Sequence, residues 1–370
     1  MAVFYLAWRN LAQSRTQFIL GVGGVALALV LMLALDALLA GSEEDLVAYI
    51  EQSGADIFVS QEGVKNMHMA ASAITLRDMR LAERAKGVVS ASPILYTSSV
   101  VKTKGADVLS YIIGFDPDEP LGGPQRVVAG TADVGRHDVV IDEAVARSQG
   151  LKLGDEVEIM GQTFIIIGLT RGLTNIVNSV SFIRLRDFQV LRPGEAISYA
   201  LLEVAPDIGP AHVAAAINAR NEHVLALPTT TFSREERQIV RDMSVEILNI
   251  MNLSGFLIGL AVTALTLYTS TLRKRQEYGV LKAMGAKNDH LYVVVATQAA
   301  LSLALGFVAA MGLVWLLGQI VPLAVPGMGM TLTQMGVTRV LVASLVIGVI
   351  AALVPAWQLA RLDPAQVFRG

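Results

Sequence analysis

Cysteine is absent from the 370 residues of this chain, which excludes a disulfide framework and a zinc–thiolate site. Charge is scarce too: Asp, Glu, Lys and Arg make up 16% of the sequence, where soluble domains average roughly a quarter. Apolar residues fill the gap at 53%, so the deficit points to a membrane. No basic stripe suited to a phosphate backbone is present, and no nucleic-acid partner is expected. The dipeptide Gly-Lys does not occur. The phosphate loop GxxxxGK[ST], whose N–H groups and lysine hold nucleotide phosphates, is therefore missing, as are HExxH, GxSxG and CxxC. The chain reads as non-catalytic, with no cofactor of its own.

What the sequence has is long apolar runs. A membrane-crossing helix needs about 20 mostly apolar residues. Phe18 to Leu35 and Ile247 to Leu272 each lack any charge, and Leu291 to Thr338 is a charge-free stretch too long for one span. Pro322, Pro326, Gly327 and Gly329 break it. The expected spans are 17–40, 246–272, 290–321 and 338–360, with an outer loop at 322–337. Arg339 is expected to snorkel to water at the outer interface. Unpaired backbone is too costly in lipid, so these runs are helices, and none alternates as a barrel strand would.

Orientation follows from Lys and Arg beside the spans. Arg9 and Arg15 precede the first span, and Glu43, Glu44 and Asp45 follow it. Arg273, Lys274, Arg275, Lys282 and Lys287 lie between the second and third, and Arg361 and Arg369 follow the fourth. Both termini are thus expected in the cytoplasm, with 1–16 an amphipathic segment, 273–289 a cytoplasmic loop, 361–370 a tail, and 41–245 outside. The protein is expected in the inner or plasma membrane. A cleaved signal peptide is the competing reading of the first run, which is longer than the usual 7–15 residue apolar region.

The outer segment, long enough for a packed domain, is acidic and mixes strand and helix patterns. Strands are expected at 55–60, 108–115, 156–160, 163–169 and 198–204, with a hairpin turn at Gly161-Gln162. Helices are expected at 76–86, 142–149 and 211–220. Ser233 and Glu236 have capping-box spacing, so a helix beginning there could run on into the second span; residues 42–51 could likewise extend the first. The expected fold is a membrane protein of four transmembrane α-helices with a large α+β extracytoplasmic domain between the first and second.

Polar residues near the spans are few. Asp36 is expected to reach water at the outer end of the first. Asn249 and Asn252 share a helix face and are candidates for hydrogen bonds across helices, with a translocation role as the alternative. Met67-His68-Met69 has thioether and imidazole groups that suit Cu(I). With no second such cluster nearby in sequence, a hydrophobic loop tip that touches a client is preferred, and no metal is expected.

The most informative stretch is Arg273–Lys287, RKRQEYGVLKAMGAK. Its small apolar residues among basic ones cannot form a core alone, so the segment must lie on the membrane or against a partner. It resembles the coupling segment of MacB/FtsX-like ABC permeases. Glu277, Gly279, Leu281, Lys282, Ala283, Gly285 and Ala286 match that pattern in order, with Tyr278 replacing an aliphatic residue. Residues 7–11 (AWRNL), 139–168 and 355–369 resemble further family segments.

The resemblance implies a permease subunit that works as a pair, with itself or a related permease, and engages a cytosolic ABC ATPase that binds the ATP. It also implies that ATP-driven motion is transmitted to the outer domain, for export or extraction of an envelope or hydrophobic substrate. A regulator of a cell-wall hydrolase is the alternative within the family; a membrane-anchored sensor or adhesion module without ATPase is the alternative outside it. On this reading Glu277, Gly279, Leu281, Lys282, Ala283 and Gly285 carry coupling, the two glycines by letting the backbone approach the ATPase closely. Further implied partners are membrane lipid and an extracytoplasmic adaptor or client.

Overall fold

A computed structural model of the chain describes residues 15–175, 178–325 and 327–361. The family-like residues 7–11 and 362–369, with Arg9, Arg369 and Pro326, lie outside them. The chain forms two compact units. One gathers the described residues of 1–40, 244–320 and 330–370, and the other 41–243 and 321–329.

Among the described residues, four helices are long and apolar enough to cross a membrane: α1 (Arg15–Gln52), α6 (Thr229–Arg273), α8 (Asn288–Ala324) and α9 (Gln334–Ala360). In the first unit they share a core in which Val25, Leu29 and Leu33 of α1 meet Leu303, Ala310 and Val314 of α8 and Val340 and Ile347 of α9. Small residues bring the backbones close. A methyl group on Gly24 would stand 2.4 Å from Val262, and one on Gly306 would stand 2.6 Å from Val25. Two expectations are corrected here. The last helix starts at Gln334 rather than 338, because Thr333 caps it by accepting from the Gly336 N–H. Asp36 does not simply reach water: its side chain is 13% exposed and pairs with Arg339, whose own side chain stays 53% exposed.

The second unit is built on a ten-stranded sheet. Its strands are β1 (Ile57–Gln61), β3 (Val88–Lys102), β4 (Val108–Phe115), β5 (Val127–Gly130), β6 (Asp138–Asp142), β7 (Glu156–Ile159), β8 (Gln162–Thr170), β9 (Ser179–Arg184), β11 (Tyr199–Val204) and β12 (Val224–Pro228). The order is β12-β1-β11-β3-β4-β9-β6-β8-β5, with β7 pairing both β3 and β8. A small second sheet pairs β2 (Ile74–Thr75) with β10 (Ala196–Ile197). β3 joins the two halves: residues 88–94 pair with β11 and 95–101 with β4. Helices α2 (Leu76–Glu83), α3 (Glu143–Gln149), α4 (Leu185–Leu191) and α5 (Pro210–Asn218) complete the unit. The β7–β8 hairpin turns at Met160-Gly161, one residue earlier than expected, because both residues adopt positive φ, 49° and 84°.

Within this unit the last turns of α1 and the first turns of α6 run antiparallel and are tied by two ion pairs. Arg241 reaches both Glu43 oxygens, at 2.7 and 3.1 Å, and Arg237 meets Glu51 at 2.6 Å. Phe232 of α6 stacks on Phe58 of β1 with ring centroids 4.8 Å apart. The capping box expected at Ser233 and Glu236 is not formed. α6 begins at Thr229, whose hydroxyl donates to the Ala55 carbonyl, and Ser233 and Glu236 are both buried inside it.

Candidate functional site

α6 ends at Arg273, and after Lys274 the chain forms a nine-residue helix, α7 (Arg275–Ala283). One side of α7 is anchored. Tyr278 is 2% exposed and shares a cluster with Leu291, Val294 and Val295 of α8 and Leu359 of α9, with Leu281 packed against it. Lys282 donates from Nζ to the Ala360 carbonyl at 3.0 Å, placing a cation at the C-terminal end of α9, where the helix dipole favours one. The other side is free. Glu277, Val280, Ala283 and Met284 are exposed, Met284 to 71%, and their spacing of three, three and one puts them on one face.

The six predicted coupling residues therefore divide. Glu277 and Ala283 lie on the free face. Leu281 and Lys282 are half-buried and serve the anchor, and Gly279 is buried. Gly285 has φ +95°, and a methyl group placed on it would meet nothing within 4 Å. Its N–H bonds to the Lys282 carbonyl, and the Ala286 N–H to that of Leu281, both at 3.0 Å. This pair of bonds is the Schellman arrangement, in which a left-handed residue stops the helix. Gly279 is thus covered by the chain itself, whereas Gly285 is exposed with open space around it. Val280 and Met284 complete the free face; their exposure at helical spacing was the available signal. Asn249 is exposed and Asn252 half-buried, and neither side chain makes a hydrogen bond to another described residue.

A second polar constellation lies inside the sheet unit. Glu236 is fully buried. Its Oε2 accepts from the Met67 N–H at 2.6 Å, and its Oε1 contacts His68 Nδ1. The His68 ring stands edge-on to Tyr111, 4.7 Å between centroids. Burial, reinforced by the Glu236 charge, pushes the Tyr111 hydroxyl up to about 12. Asp45, beyond the apolar run of α1 and within the sheet unit, shares a small cavity with His68, Tyr96 and Tyr111. Burial raises its carboxyl to about 6 although the Gly329 N–H donates to it. The Met-His-Met triplet does not converge: Met67 enters the core, His68 turns to Glu236, and Met69 is 67% exposed.

Four apolar helices, an α+β unit inserted between the first and second, and a short helix with one free face between the second and third define a membrane permease subunit. Residues 18–220 match the MacB-like periplasmic core domain and residues 249–364 the FtsX-like permease C-terminal region. The first match alone covers more than half of the chain, which belongs to the MacB/FtsX-like family of ABC transporter permeases. The hemin transport system permease protein HrtB of Staphylococcus epidermidis is 20% identical over 99% of both chains. An uncharacterised ABC transporter permease of Mycobacterium tuberculosis is 21% identical over 100% of both. The crystal structure of the periplasmic region of MacB from Actinobacillus actinomycetemcomitans covers 50% of this chain and 94% of its own, at 12% identity and TM-score 0.37. As an ABC permease the protein sits in the plasma membrane and implies a cytosolic ATPase partner.

Proposed function

We propose that this permease couples ATP hydrolysis in its partner to work done by its sheet unit on an envelope or hydrophobic substrate. The observation that supports this most is the two-sided build of α7. A helix whose inner side is fixed to α8 and α9 by Tyr278, Leu281 and Lys282 delivers a displacement of its free face to the membrane helices. Coupling requires that the ATPase bind this face unequally before and after nucleotide closure. α1 and α6 each contribute residues to both compact units, and on this reading they carry the motion onward. Both termini and α7 face the cytoplasm, as the basic residues beside the spans support.

The permease acts as a pair, with a second copy or a related permease. Hemin is the first substrate to test, because a relative aligned over its whole length bears that name. The test is co-purification with the ATPases encoded in the same genome, followed by hydrolysis assays in lipid nanodiscs. A stable complex whose hydrolysis falls on Val280→Asp supports the reading. Failure of every ATPase to bind overturns it in favour of a sensor or adhesion module.

A further inference from the structure

A cleft of about 330 Å³ opens where α6 ends and α9 ends, within the helical unit. Its lining includes Tyr268, Thr271, Arg275, Trp357 and Arg361, with no carboxylate among the described lining residues. Two cations come from different elements: Arg275 opens α7, and Arg361 follows the last turn of α9. The Arg361 guanidinium lies over the Trp357 ring, 4.0 Å from its centroid, which holds the charge in place. Thr271 is 3% exposed, and its hydroxyl has no hydrogen-bond partner. A buried hydroxyl is rarely left unpaired, so a ligand atom is wanted there. Leu272 and Trp357 are half-exposed or more beside the cleft, and Leu265, Leu353 and Val354 extend the exposed apolar surface along the same two helices.

We propose that this cleft binds the phosphate-bearing headgroup of an anionic phospholipid, with the acyl chains along the exposed apolar faces of α6 and α9. Arg275 and Arg361 neutralise the phosphate, the Thr271 hydroxyl donates to an oxygen, and Trp357 stands at the depth where aromatic residues gather in bilayers. Basic clefts between membrane helices commonly take such headgroups. A soluble anion would satisfy the arginines but not the apolar surface beside them. The site lies apart from the free face of α7, so it stands or falls independently of the coupling proposal.

The test is native mass spectrometry of the full-length protein equilibrated with phosphatidylglycerol and phosphatidylcholine of matched chains. The wild type should retain phosphatidylglycerol about thirtyfold in preference, the scale two basic residues confer near a membrane surface. Arg275→Gln/Arg361→Gln should bring the preference close to one, and Arg275→Lys/Arg361→Lys should keep most of it. Thr271→Val, which preserves shape, should lower it by about threefold, and it decides the matter if the double glutamine variant does not fold. An unchanged preference in the variants overturns the proposal. So does displacement of the lipid by millimolar inorganic phosphate, which would make this a soluble-anion site. Loss of ATPase co-purification with lipid retention unchanged would make it a protein-docking surface instead.

Discussion

Lys282 gives its ammonium to the main-chain carbonyl of Ala360, 3.0 Å away, so a residue of the connection between the second and third spans closes the C-terminal end of the last membrane helix. Together with Tyr278, buried against Leu291, Val295 and Leu359, it makes α7 an extension of the helical unit rather than a free loop. That arrangement divides α7 into residues that hold it and residues that can meet a partner.

Substitutions on the two faces should therefore separate. Val280→Asp and Met284→Asp place charge where a partner's apolar contact is expected, and buried interface positions of this kind cost 2 kcal/mol or more, about thirtyfold in affinity. ATPase co-purification and stimulated hydrolysis should fall by at least about tenfold while the thermal midpoint stays near that of the wild type. Tyr278→Ala removes a buried aromatic, a loss of about 3–5 kcal/mol by analogy with Phe, and should lower the midpoint itself.

Gly285 tests the helix stop. Its φ of +95° strains any residue with a Cβ, so Gly285→Ala should destabilise the turn by about 1 kcal/mol. Hydrogen exchange of the amides at 281–286 should quicken several-fold, with protection elsewhere unchanged. Equal protection in the variant would show that the Schellman turn is not what ends α7.

The buried Glu236 should be costly to remove. Glu236→Ala leaves the Met67 N–H and the His68 imidazole without their acceptor, and breaking a buried pair typically costs about 3–5 kcal/mol. For a unit of this size the thermal midpoint should drop by about 10 °C. Combining it with His68→Ala should add little, because the residues are in contact; full additivity would mean that the pair contributes nothing jointly.

Asp45 gives a pH dependence of opposite sign to that of most carboxylates. In the unfolded chain it releases its proton near pH 3.8, and in the folded unit near 6. Between those values the folded state binds more protons, so this group's contribution to stability is full below about pH 4 and is lost as pH rises through 6. The difference in midpoint between wild type and Asp45→Asn should change across that window and flatten above it. A difference constant from pH 4 to 7 would contradict the raised pKa.

The spans were legible because charge disappears for the length of a bilayer, and the extended helices α1 and α6 followed the expected continuations at 42–51 and above the second span. β3 was not legible. Pro93 and the serines interrupt its pattern, yet Pro93 sits opposite Ala200 in the ladder, where a strand passes from one partner to the next. Glu236 looked like a cap from its spacing to Ser233. Its partner His68 lies 168 residues away, and no local pattern carries such a pairing. The ion pair of Asp36 with Arg339 escaped for the same reason. In α7 the motif residues were found, but not which of them are buried: the covered side of a nine-residue helix depends on Leu291 and Leu359 packing against it.

Whether the free face of α7 meets the ATPase can be read by photo-crosslinking in native membranes. A photoreactive residue placed singly at Val280, Met284, Tyr278 or Leu359 should give an adduct with the ATPase from the first two positions and none from the buried pair. No adduct from Val280 or Met284 in membranes that contain the ATPase would mean that the ATPase does not dock on this face.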